Sequence, residues 1–169
     1  VQAVLSEYRE RVTKWFNDIP FDTAVSDSKL GIVQWEALLK KLNVVGTFTC
    51  TQGSDMVGDP DVGLEHKIRL SVPQAKAAFA NSQQAGEADG SVDSITCDLD
   101  ELLEAIARCG VDKYKLVTQI SKAEAVRGMM QNILGEFDED AVITRFTYNY
   151  CPRYDATAES KPGPSMSAD

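Results

Sequence analysis

The chain has 169 residues, 43% hydrophobic and 25% charged, which is ordinary for a globular protein and long enough for a sizeable core. A formal charge of −9 and a pI near 4.6 argue against a nucleic-acid binder, which needs a basic face. No apolar run approaches the ~20 residues that span a bilayer, so no membrane span is expected.

Val1 is not followed by a basic–apolar–small leader, so any targeting segment is expected to be missing or already removed. Cys50, Cys97, Cys109 and Cys151 are scattered without a CxxC pair, which predicts buried free thiols and a reducing compartment.

In chain order, Val4, Tyr8, Val12, Trp15, Phe16 and Ile19 predict an amphipathic helix over 3–19, ended by Pro20. The loop 21–31 leads to a short strand at Ile32 and Val33 and an exit helix over 34–45. From Gly46 to Leu70 the Gly, Asp and Pro content predicts an irregular connector. Asp55, Asp59 and Asp61 within it are read as solvated turn formers. His66, the lone histidine, sits in a polar Glu-His-Lys run and is expected at the surface.

Ser71 and Gln74 form a capping box with Pro73 in the first turn, opening a helix that runs to about Gln83. A second loop covers 84–94. Asp98 and Glu101 form the next box, and Leu99, Leu102, Leu103 and Ile106 make one apolar face, with Gly110 as its expected C-terminal stop. Tyr114, Leu116, Val117 and Ile120 follow in a short apolar turn or helix. Ser121 and Glu124 open another helix carrying Val126, Met129, Met130 and Ile133, stopped at Gly135. That stripe reads as core packing before it reads as a methionine-lined groove. The acidic run 135–140 suits a helix start, while 141–150 could be helix or strand. Beyond Cys151 the Pro-, Ser- and Ala-rich residues predict an extended tail.

An internal echo organises the first two thirds. At an offset of 64, Trp35, Leu38, Leu39, Leu42 and Gly46 take the places of Leu99, Leu102, Leu103, Ile106 and Gly110, and Val33 falls opposite Cys97. Two helix–loop–helix units joined by short strands, Ile32–Val33 against Ile95–Cys97, are the plan of a paired EF-hand.

A working EF-hand loop places oxygen ligands at positions 1, 3, 5, 7 and 9, Gly at 6 and a bidentate Glu at 12. Starting at Asp89 gives Asp89, Ser91 and Asp93 with Asp100 at 12. Starting at Gly90 gives Glu101 at 12 but loses the early ligands. Counting back from Glu36 in the first loop places Val25, Asp27 and Lys29 at 1, 3 and 5. The first loop should therefore be empty and the second a weak or vestigial Ca²⁺ or Mg²⁺ site on Asp89, Ser91, Asp93, Asp100 and Glu101.

The segments 69–83, 94–115 and 125–144 resemble the degenerate paired EF-hand proteins of protists and algae, many of them associated with cilia and flagella. The resemblance covers roughly residues 1–145 and rests on helix patterns. It implies a calmodulin-like helical scaffold for protein–protein assembly in an axonemal complex, without a cofactor. A weak calcium or magnesium sensor and a peripheral subunit of an organellar complex are the alternatives.

The expected fold class is all-α: an EF-hand-like pair (1–46 and 71–110 around the connector 47–70), a helical extension over 111–145, and an aromatic segment and tail over 146–169. Phe146, Tyr148, Tyr150 and Tyr154 are the candidate partner anchors, since aromatics offer large contact area at low rotamer cost. No nucleophile elbow, phosphate loop, dinucleotide fingerprint or His-rich metal spacing is present, so no enzymatic activity is expected.

Overall fold

A computed structural model describes residues 1–20, 29–53, 63–83 and 96–147. Helix α1 (Gln2–Asn17) is followed by β1 (Leu30–Gly31), α2 (Ile32–Lys41), the strands β2 (Gly46–Thr51) and β3 (Glu65–Leu70), and α3 (Val72–Asn81). Then come β4 (Thr96–Cys97), α4 (Leu99–Tyr114), α5 (Lys122–Ile133) and α6 (Glu139–Thr147).

The all-α expectation is overturned. The described residues are 62% helical and 14% strand, with two small antiparallel sheets, so the fold is mixed α/β. The decisive error is the connector. Thr47, Thr49 and Thr51 alternate with Phe48 and Cys50, and Glu65, Lys67 and Arg69 alternate with His66, Ile68 and Leu70. That period of two is a half-buried hairpin, and β-branched threonines suit its open face. β2 pairs with β3 from Gly46↔Leu70 to Thr51↔Glu65.

The two helix–strand–helix units do pair, through β1 and β4, but two residues earlier than expected: Leu30 faces Cys97 and Gly31 faces Thr96. Ile32 and Val33 belong to α2, and Val33 is exposed. The capping boxes Ser71/Gln74, Asp98/Glu101 and Ser121/Glu124 all form.

The glycine stops are only partly right. Gly135 (φ +68) ends α5, with Glu136 N–H donating to Gln131 O and Gly135 N–H to Asn132 O. α2 instead ends on Asn43 (φ 55), with Val44 N–H donating to Leu39 O, while Gly46 begins β2. Gly110 lies inside α4, where a Cβ would come within 2.7 Å of Ala125 O and 2.9 Å of Met129 Cβ. Its missing side chain lets α4 and α5 touch; it does not end a helix.

The larger core gathers Val4, Tyr8 and Val12 of α1, Trp35 and Leu39 of α2, Phe79 of α3, Leu102 and Ile106 of α4, and Val126, Met129, Met130 and Ile133 of α5. The methionine stripe is thus core. Trp35 stacks on Phe79 at 5.9 Å between centroids and donates Nε1–H to Ala75 O at 3.1 Å. A second core joins the hairpin to the C-terminal helices through Cys50, Ile68, Tyr114, Val117, Val142 and Ile143.

Candidate functional site

α4 runs four residues past Gly110, and this carries Lys113 and Tyr114 under the hairpin. Both are fully buried. Lys113 Nζ donates to Glu139 Oε1 at the start of α6 and to Asn132 Oδ1 of α5, the latter at 3.1 Å. Tyr114 Oη–H donates to the same Asn132 oxygen at 2.7 Å, and Asn132 Nδ2–H donates to Phe137 O at 2.9 Å. The ammonium also lies 4.8 Å from the centre of the Phe48 ring on β2.

A buried ammonium needs an anion and hydrogen-bond acceptors to offset the loss of water. Glu139 and Asn132 supply them. Burial lowers the Lys113 pKa against the opposing pull of Glu139, and it raises that of Tyr114. Burial and the nearby Asp140 and Glu139 carboxylates push the Cys50 thiol up to about 12. A thiol held protonated is a poor nucleophile, and Lys113, Tyr114, Asn132 and Glu139 link α4, α5 and α6 beneath β2.

The acidic run 135–140 is divided among structural tasks. Asp138 Oδ1 accepts from Ala141 N–H at 2.9 Å and caps α6, Glu139 pairs with Lys113, and Asp140 Oδ1 accepts from Thr51 N–H at 3.1 Å. Glu136 pairs with Arg11 of α1. His66 is buried, correcting the surface expectation; it faces inward on β3 with Nε2 3.1 Å from Gln52 Oε1.

Of the expected metal ligands, Asp89, Ser91 and Asp93 lie outside the described residues. Asp100 is exposed and paired with Arg9 at 2.6 Å. Glu101 is buried and accepts from Asp98 N–H at 3.0 Å, which fixes it as the third residue of α4. Asp100 and Glu101 therefore face different partners. Among the described residues no group of three His, Cys, Asp or Glu side chains is placed to hold a metal.

Of the expected partner anchors, Phe146 is half-buried in α6 and packs on the second core. Tyr148, Tyr150 and Tyr154 lie outside the described residues, as do Asp55, Asp59 and Asp61. The sequence signal for Lys113 was weak, because a lysine after a helical face ordinarily marks solvent. The period-two runs on either side of the hairpin were the stronger clue.

Besides a recess of about 600 Å³ along α1, two lie between elements among the described residues. One, about 490 Å³, runs between α3, α4 and α5 and mixes Glu104, Arg108, Asp112 and Lys122 with alanines. The other, about 340 Å³, lies where β3, the start of α3 and the end of α4 meet. No described helix is long and apolar enough to cross a membrane.

These features define a helix-rich α/β protein with paired helix–strand–helix units and a buried cationic joint. Comparison of the chain with protein-family models, curated proteins and solved structures finds no match.

Proposed function

We propose that the chain is a non-enzymatic docking subunit of a larger protein assembly, with the paired helix–strand–helix units serving as a rigid frame. The reading rests on one observation: the third residue of each exit helix caps its own helix. Gln34 Oε1 accepts from Gly31 N–H at 3.2 Å, and Glu101 Oε2 accepts from Asp98 N–H at 3.0 Å.

In a working EF-hand that third position is loop position 12, which must supply a bidentate carboxylate. Counting back from Gln34 and Glu101 replaces the registers that ended at Glu36 and Asp100. The first unit then offers a neutral amide where calcium needs an anion. The second offers a glutamate, but with Gly90, Val92 and Ser94 at positions 1, 3 and 5. The first six positions of each loop, 23–28 and 90–95, lie outside the described residues, so their ligands are read from the sequence.

The calcium- or magnesium-sensor alternative is thereby reduced to a weak second site. A ciliary or flagellar axoneme is the proposed setting, and an organellar complex the alternative; both rest on the sequence resemblance alone.

Two measurements test the reading. Calorimetric titration with Ca²⁺ should give no site tighter than roughly 10⁻⁴ M, the range of the weakest modules. Affinity purification at native expression, with quantitative mass spectrometry, should recover a stable set of partners in fixed ratio. A pair of micromolar sites with a calcium-driven helix rearrangement would replace the frame with a sensor. A chain recovered without stoichiometric partners would refute docking.

A further inference from the structure

Most arginines of the structure are already engaged. Arg9, Arg11, Arg108 and Arg127 form ion pairs with Asp100, Glu136, Glu104 and Glu7. Arg145 lies over the Phe137 and Phe146 rings. Among the described residues Arg69 alone of the arginines has no ion pair, side-chain hydrogen bond or ring contact.

Arg69 is exposed on the 340 Å³ recess between β3 and the end of α4, and shares its lining with Lys115, Leu116 and Asp112. Lys115 is likewise exposed and unpaired among the described residues. Lys67 is another, on the same outer face of β3, since residues two apart on a strand point the same way. Lys113 reaches the recess from beneath, its charge already met by Glu139. Leu116 is 65% exposed, the most open of the large hydrophobic side chains among the described residues.

In a chain of net charge −9, Arg69, Lys115 and Lys67 thus have no ion pair among the described residues, although Asp112 shares the recess, and an open leucine lies beside Lys115. Unpaired cations in an acidic field attract an anionic visitor and discriminate against a basic one. The recess is at the small end of binding sites, so it takes a few side chains, not a folded surface. A polyanion such as nucleic acid would meet the acidic remainder of the molecule, whereas a short peptide presents its charge locally.

We propose that this recess docks an acidic linear peptide of a partner protein, its carboxylates on Arg69 and Lys115 and a neighbouring aliphatic side chain on Leu116. The proposal rests on the docking reading above and names its surface. Lys67 extends the cationic track along β3. Asp112, on the same recess, repels carboxylates, so those of the peptide are placed toward Arg69 and Lys115 and away from it.

A random peptide library selected on the full chain, then counter-selected on the Arg69→Glu/Lys115→Glu variant, tests it. Enriched peptides should carry Asp or Glu flanking a Leu, Ile or Met. By fluorescence anisotropy the double variant should bind the best of them at least about tenfold more weakly, as charge reversal at a complementary interface does. Leu116→Ala should cost roughly fivefold, the scale of an anchor truncation. All three side chains are exposed or on the recess rim, so thermal unfolding should be unchanged, and a variant that melts early is replaced by Arg69→Gln/Lys115→Gln.

Enrichment without acidic residues, or equal binding by wild type and variant, overturns the site. So does tighter, Arg69-dependent binding of single-stranded oligonucleotide, or self-association lost in the variant. If the variant still recovers the stable partners of the wild type, this surface is wrong while the docking reading stands. Absence of stable partners from the wild type refutes the docking reading itself.

Discussion

Gly110 and Lys113 are one helical turn apart in α4, and each is intelligible only from what lies across from it. At Gly110 an alanine Cβ would lie 2.7 Å from the Ala125 carbonyl, which is backbone and cannot swing away. Alanine gains about 1 kcal/mol of helix propensity over glycine, but overpacking a tight contact costs typically 1–3 kcal/mol. Gly110→Ala should therefore be destabilising in urea unfolding, whereas propensity alone predicts the opposite sign. At Lys113, methionine preserves the chain volume but strips Glu139 and Asn132 of their shared donor. Breaking a buried pair from one side costs about 3–5 kcal/mol, because an uncompensated charge stays behind. Lys113→Met should lose that much, and adding Glu139→Gln should recover part of it in a double-mutant cycle. If the two losses simply add, the pair is not coupled.

At the scale of elements, the sequence carried the helices well and the register between them poorly. The units align at an offset of 67, since β1 Leu30 faces β4 Cys97 (97 − 30) and N-cap Gly31 matches N-cap Asp98 (98 − 31). The hydrophobic pattern suggested 64. A slip of three residues is nearly one helical turn, so it leaves an apolar face aligned with itself. At 67, buried Trp35 matches buried Leu102 and buried Leu39 matches buried Ile106. Only the caps break the degeneracy, and Gly31 with Gln34 is a box whose N-cap has no side chain to advertise it. The hairpin was hidden differently: β3 alternates cleanly, but its inward position 66 is a histidine and its partner strand is half threonine. α6 was left between helix and strand because Val142, Ile143 and Thr144 have strand propensity, which the Asp138 cap and burial of Val142 and Ile143 override. Since α6 supplies Glu139 and that apolar pair, ending the chain at Asp138 should lower the melting temperature markedly. Near-ultraviolet circular dichroism should also change as Tyr114 loses its surroundings. An unchanged melting curve would mean that α6 contributes no stability.

Across the whole molecule, the buried ionisable groups predict how stability responds to alkali. Cys50, Cys97 and Cys109 are buried free thiols, raised from an ordinary 9.0 to about 12, about 11 and about 12. Burial is the main cause in each. A thiol with a raised folded pKa contributes its full stability below pH 9, and loses it as pH climbs toward the folded value, because the unfolded chain releases its proton first. Each thiol should remove roughly 1.4 kcal/mol per pH unit in that window, so the three together remove about 4 kcal/mol per pH unit, roughly 6 between pH 9 and 11 once the gradual onset is included. Tyr114, also raised, adds to the loss above pH 10. Lys113 acts in the opposite sense. Its folded pKa is lowered from 10.5, so the native state sheds that proton first and gains stability as pH rises toward 10.5. This offsets at most one thiol's share, leaving a net loss. Urea midpoints measured from pH 7 to 10.5 should be level up to about 8.5 and then fall steeply, under reducing conditions that exclude disulfide exchange. Cys50→Ala should lower the starting stability through its cavity, yet flatten the alkaline fall by roughly a third. A level profile to pH 10.5 would show that the thiols titrate as freely in the folded chain as in the unfolded one.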